Sequence, residues 1–187
     1  MREGIRAFLE GLGERFAGDD LDATPDRVAR AWAEDLVGGY RGDPVRELTW
    51  TPAPEESGLV LVRDVRFASV CVHHLLPFTG TAQIAYLPGK RLAGLSKLGR
   101  VVDLYARRLQ MQERLTRQVL DAIEEALEPR GALVLLEAEH TCMTLRGVRK
   151  EGARLTTLAA SGALETDPWK RDVLHLIAPR SGAAPVE

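Results

Sequence analysis

The chain has 187 residues, 45% of them apolar and 28% charged, with a formal net charge of −2. That length suits a single domain able to bury its own core, and the apolar fraction excludes a disordered chain; no run approaches the roughly 20 apolar residues of a membrane span. Near-neutral charge excludes a general nucleic-acid binder, and the opening Met1-Arg2-Glu3-Gly4-Ile5-Arg6 lacks the apolar stretch of a signal peptide, so the expectation is a cytoplasmic globule with neither membrane nor nucleic acid as partner.

In chain order, Ile5, Phe8, Leu9 and Leu12 predict a helix over the first twenty residues, fading at Gly18-Asp19-Asp20. Thr24-Pro25-Asp26 predicts a second helix start, with a hydroxyl cap, a proline in the first turn and a carboxylate at the positive end of the dipole. Pro44, Pro52 and Pro54 predict an irregular connector over 41–57. The β-branched run 59–67 reads as a strand that leads into Cys71, and 80–87 as a second strand ended by Pro88-Gly89. The stretch 94–127 turns helical, split in two where Gln110 to Glu113 interrupts the apolar stripe. Leu115, Val119, Ile123 and Leu127 mark the second of these helices, which Pro129-Arg130-Gly131 stops. Strands over 132–138 and 154–164 and a helix over 168–177 complete the order, followed by a loose tail after Pro179.

The rare residues carry more information. Four histidines and two cysteines are present, and three of those histidines fall within three residues of a cysteine: Cys71-Val72-His73-His74 and His140-Thr141-Cys142. Thiolate and imidazole are preferred zinc ligands, and a catalytic zinc keeps three protein ligands and one open position. Cys71 and His74, three apart, suit one ion, with Cys142 as the third ligand from a distant strand. On an extended strand His140 and Cys142 share a face, which sets His140 beside the ion without ligating it and leaves His73 near the open position. Two buried core thiols with polar histidines, or a closed four-ligand structural site, fit the same spacing.

Further along, Gly94-Leu95-Ser96-Lys97-Leu98-Gly99-Arg100 opens a helix whose amides, with Lys97 and Arg100, suit an anion. Arg146-Gly147-Val148-Arg149-Lys150 offers more cations just after Cys142. Two of the chain's four lysines lie in these two segments, although solvated surface charge explains either segment taken singly. Glu113, near a helix start, either compensates the dipole or accepts two donors from a guanine edge.

Taken together, these segments resemble the GTP cyclohydrolase I family. The likeness runs from Thr24-Pro25-Asp26-Arg27-Val28-Ala29 to about Arg149 and follows the family's order through the Cys71 cluster, Gly94-Leu95-Ser96-Lys97, Gln112-Glu113-Arg114-Leu115-Thr116 and His140-Thr141-Cys142-Met143. The resemblance implies an α+β tunnelling fold: a four-stranded antiparallel sheet, two helices inserted between its second and third strands, N-terminal helices outside, and a ring-shaped homo-oligomer, commonly a decamer, with sites between subunits. It divides the chain into N-terminal helices and connector (1–57), a catalytic domain (58–180) and a tail (181–187). It implies Zn2+ on Cys71, His74 and Cys142, giving a hydroxide for attack on C8 of guanine. Proton handling falls to His73 on the base and to His140 with Ser96 on the ribose side, and Gln112 completes the catalytic set. Glu113, with Gln112 nearby, anchors guanine; Arg27, Lys97, Arg100, Arg146 and Lys150 surround the triphosphate. The implied products are formate and 7,8-dihydroneopterin triphosphate.

Two positions and one stretch depart from the family's usual pattern: Val72 in place of a glutamate, Leu109 in place of a proline, and a final strand over 152–158 with fewer hydroxyls. The alternatives are a paralogue that hydrolyses a modified purine nucleotide or stops at a ring-opened product, and a non-catalytic nucleotide-binding ring.

Overall fold

The computed structural model describes residues 1–13 and 21–178. Helix α1 spans Arg2–Gly11; the fading expected at Gly18-Asp19-Asp20 and the tail after Pro179 lie outside the described residues. Helix α2 spans Thr24–Arg30 and continues into a π turn over Ala31–Leu36. Thr24 is its first residue and not its cap. Ala23 takes the capping place without a side-chain bond, because its carbonyl already accepts from Arg27 N–H at 3.1 Å.

The connector is more ordered than its prolines predict. A 3-10 turn covers Gly38–Arg41, and helix α3 covers Pro44–Glu47. Asp43 caps α3 by accepting from Val45 N–H at 3.1 Å and Arg46 N–H at 3.2 Å, and Pro44 sits in the first turn, where its missing donor does no harm. Strand β1 (Trp50–Pro52) then pairs with β4 (Arg91–Ala93) in a two-stranded ribbon.

The main sheet is built from β2 (Val60–Cys71), β3 (Pro77–Leu87), β6 (Gly131–His140) and β7 (Leu155–Gly162), all antiparallel. The expected four strands gain a fifth. Between the inserted helices α4 (Leu95–Ala106) and α5 (Gln112–Leu127), β5 (Leu109–Gln110) pairs in parallel with Val70 and Cys71, giving a mixed sheet of order β5-β2-β3-β6-β7. A two-residue strand has no periodicity of its own; the open edge of β2 induces it. Here Leu109 earns its difference from proline, because its N–H donates to the Tyr40 hydroxyl at 3.2 Å, a bond proline lacks.

The two helices cover one face of the sheet. Leu98, Val101 and Val102 of α4 and Leu115, Val119 and Ile123 of α5 close over Phe67, Phe78, Ile84 and Val134. Their repeat every three or four residues puts them on one stripe per helix. A smaller cluster on the other face packs Ala85, Leu87 and Leu133 against Leu164 and against Val173 of α7 (Trp169–Ile177). Helix α5 ends with Glu128 in the left-handed region (φ 47°), followed by Pro129. Among the described residues no helix is long and apolar enough to cross a membrane.

Candidate metal centre and its surroundings

The turn joining β2 to β3 brings the first two donors together. Cys71 N–H donates to Leu76 O at 2.9 Å and Leu75 N–H to Cys71 O at 2.8 Å, so residues 72–75 form one helix-like turn. In such a turn side chains three apart share a side: Cys71 Sγ stands 3.8 Å from His74 Nδ1. Leu75 takes φ 55° to close it.

Cys142 arrives by a different route from the one expected. β6 stops at His140, and Cys142 lies in the short helix α6 (Thr141–Thr144), not on an extended strand. The chain bends there because the Thr141 hydroxyl donates to Pro77 O at 2.6 Å and Leu145 N–H to Thr141 O at 3.0 Å. Since His140 is the register partner of Phe78, the bend sets Cys142 against the β2–β3 turn. The two sulfurs and a ring nitrogen of His74 all lie within 4.8 Å of one another.

The donor chemistry fits a zinc ion. Two thiols and one imidazole with no carboxylate suit a borderline-soft divalent cation. Burial pushes the Cys142 thiol up, and the nearby Cys71 adds to that, whereas the charge of Arg146 opposes it. The Cys142 sulfur thus resists carrying negative charge until a cation shares it.

Around the cluster, His73 is exposed, its ring 6.3 Å from that of His74. Val72, half-buried, donates its N–H to Gln110 O at 2.9 Å and ties the turn to β5. His140 stacks on the buried ring of Phe78 at 4.3 Å and 6°, and its Nε2 lies 2.9 Å from Gln112 Oε1. Burial lowers the His140 pKa from its ordinary value; the charge of Glu113 acts the other way. The break between α4 and α5 thus delivers Gln112 and Glu113 to the metal end of the sheet. Arg146 and Lys150 lie there too, exposed on the loop after α6, with Lys150 N–H donating to Met143 O at 3.1 Å.

The remaining predicted residues lie elsewhere. Arg27 is exposed on α2. Ser96, Lys97 and Arg100 sit in the first turns of α4, which runs alongside β2: a Cβ placed on Gly99 would meet Val65 at 3.9 Å, and Ser69 Oγ donates to Ala106 O at 2.6 Å. Val65 precedes Cys71 by six strand residues, about 20 Å at 3.3 Å each. Lys97 and Arg100 are held instead by Glu47, with Nζ–Oε1 of 2.9 Å and Nη1–Oε1 of 2.8 Å. Glu47, inside the proline-bearing connector, carried no sequence signal of this role. Thr157, whose hydroxyl reaches Gln112 from β7, was equally hidden, whereas Thr116 was visible as the residue one turn beyond Gln112.

Comparison with known proteins gives a consistent result. The family model described as GTP cyclohydrolase I matches residues 1–178. GTP cyclohydrolase 1 of Rhodopirellula baltica is 50% identical over 178 residues, 95% of this chain and 77% of that protein. The proteins of that name from Deinococcus radiodurans and Geobacillus kaustophilus are 48% and 47% identical, over 89% and 92% of this chain and 77% and 93% of their own lengths.

Proposed function

The chain belongs to the GTP cyclohydrolase I family and is an enzyme of that type, and on that premise we propose how its residues divide the work on GTP. The reaction is zinc-dependent: it hydrolyses the guanine imidazole ring, releases C8 as formate and recloses the product to 7,8-dihydroneopterin triphosphate. The convergence of Cys71, His74 and Cys142 carries this reading. These three side chains would hold the zinc, which when bound would supply a Lewis acid able to lower the pKa of a water to about 7.

His73, exposed beside the ligands, moves protons at the imidazole nitrogens of the base, and His140 moves them on the ribose side. Imidazole suits both tasks because it donates and accepts near neutral pH. Glu113 accepts from the amide and amine of the guanine edge. Arg146 and Lys150, on the loop after α6, take the triphosphate together with Lys97, Arg100 and Arg27. Fixed cations on a part of the substrate that does not react supply binding energy for orienting the part that does.

Ser96, Lys97 and Arg100 lie about 20 Å along β2 from the ligands of their own chain. Their roles therefore belong to the metal centre of a neighbouring copy, in a homo-oligomeric ring, a decamer, with sites between subunits. Such a ring also covers the unpaired edge of β7. The catalytic domain of the ring spans 58–180, with 1–57 packed outside. Nucleic acid has no part in this scheme, and a cytoplasmic setting keeps both thiols reduced.

Incubating the zinc-loaded protein with GTP tests the reading: formate and pterin fluorescence are expected in equal amounts. Formate without pterin would show a reaction that stops at the opened ring. His73→Ala is expected to lower turnover by about 10²–10⁴-fold, as for loss of a general acid–base, with zinc content unchanged. Loss of zinc in that variant would make His73 a ligand.

A further inference from the structure

Gln112 is the most constrained polar side chain near the metal centre. It opens α5 but points inward and is 1% exposed. Its Nε2 lies 2.9 Å from Leu155 O, 3.1 Å from Leu136 O and 3.1 Å from Thr157 Oγ1, and its Oε1 lies 2.9 Å from His140 Nε2. Two of the three groups around Nε2 are carbonyls, which only accept. Turning the amide over would set Oε1 against both carbonyls, so the chemistry of the neighbours leaves one orientation.

The hydroxyls agree with that orientation. Thr116 Oγ1 is 2.8 Å from Gln112 O, a carbonyl, so Thr116 must donate there. Its single proton is then spoken for, and the 2.6 Å contact between Thr116 and Thr157 is donated by Thr157. Thr157 in turn has lone pairs free to accept from Gln112 Nε2. The two Nε2 protons are shared among three acceptors, none of which offers a proton back, and among the described residues no buried side-chain polar atom is left without a partner.

At the end of this chain Gln112 offers His140 an acceptor. We propose that Gln112 is a positioning residue that confines the proton of neutral His140 to Nε2, leaving Nδ1 as the ring's acceptor, and that Thr157 and Thr116 hold Gln112 in the required orientation. Which ring nitrogen carries a proton is set by what the other atoms around it demand, and Phe78 beneath the ring fixes its plane. On the final strand, Thr157 supplies the hydroxyl that closes this network. The tautomer assignment stands on the hydrogen bonds alone; its consequence for turnover rests on the function proposed above.

The test is magic-angle-spinning NMR of the zinc-loaded oligomer with 15N-labelled histidine at pH 8. The chain has only four histidines, and His140→Asn identifies the signal. The wild type is expected to show His140 protonated at Nε2 and bare at Nδ1; a proton on Nδ1 would overturn the proposal without any variant being made. Gln112→Met keeps the length and removes the acceptor. It should retain zinc, release a second His140 tautomer and lower kcat by about 10–100-fold, the usual effect of losing such an orienting partner, with KM within about twofold of wild type. A rise in KM with kcat unchanged would mean that Gln112 touches the substrate, and a single Nε2–H tautomer in Gln112→Met would mean that something else sets the proton; either result rejects the assignment. Failure of the wild type to release formate from GTP would instead reject the proposed function, leaving the NMR result intact.

Discussion

Two points along β2, its Cys71 end and its middle, lie beside polar clusters of opposite kinds. At Cys71, a tight turn and the bend after β6 bring two thiols and an imidazole within 4.8 Å, from segments about seventy residues apart in sequence. Near Val65, midway along the strand, Lys97 and Arg100 close on Glu47, a carboxylate of the same chain. The first cluster has the donors but, crowded as it is, wants a cation. The second has cations already partly neutralised and about 20 Å from the first along the strand. One protomer thus brings its three metal donors together alone, whereas in the function proposed above Lys97 and Arg100 serve that chemistry only across an interface. The length of β2 keeps the two clusters of one chain apart.

The largest effect is expected at the thiols. Cys142→Ala leaves two donors, and zinc measured by elemental analysis should fall from one per chain to near none, with turnover at background. Full zinc retention would assign the third ligand elsewhere. Next comes a mixing experiment. A preparation of Cys142→Ala and one of Lys97→Ala/Arg100→Ala should each be nearly inactive. Co-refolded in equal amounts, they should recover about a quarter of wild-type activity, since in a head-to-tail ring one interface in four pairs an intact metal centre with intact cations. No recovery would place both halves of the site in one chain. The smallest effect belongs to Glu47. Arg100 first, and Lys97 second, hold its carboxyl below the ordinary 4.5. A depressed carboxyl contributes stability above 4.5 and loses it as the pH falls through the lower, folded-state value. The difference in Tm between wild type and Glu47→Gln should therefore be largest near pH 7 and close below pH 4.5. A difference that grew on acidification would contradict the pairing.

Several elements were legible because their signals are local. The stripe Leu115, Val119, Ile123 and Leu127 marks α5 within a residue or two, a run rich in valine marks β2, and a continuous apolar run marks β6. The metal ligands were legible for a compositional reason: scarce thiols stood beside scarce imidazoles. Other features had no local signal. Leu109 and Gln110 are a strand only because Val70 and Cys71 offer an edge. Cys142 follows a strand pattern in sequence, yet a hydrogen bond from Thr141 to Pro77 bends it into a helical turn. Thr157 looked like part of a strand short of hydroxyls, and its contact with Gln112 depends on a register set 45 residues away.

Residue chemistry and periodicity marked which side chains are candidates to bind zinc or attract phosphate and which faces of the helices are buried, and the family resemblance supplied their roles. These properties belong to single residues and to their nearest neighbours along the chain. Folding in three dimensions settled which of those side chains meet. It drew Cys71, His74 and Cys142 to one point, turned Gln112 inward to His140, and left Ser96, Lys97 and Arg100 at the far end of α4. Contacts of that kind arise from strand register and from the direction in which a helix crosses a sheet, and neither is encoded within any short stretch of sequence.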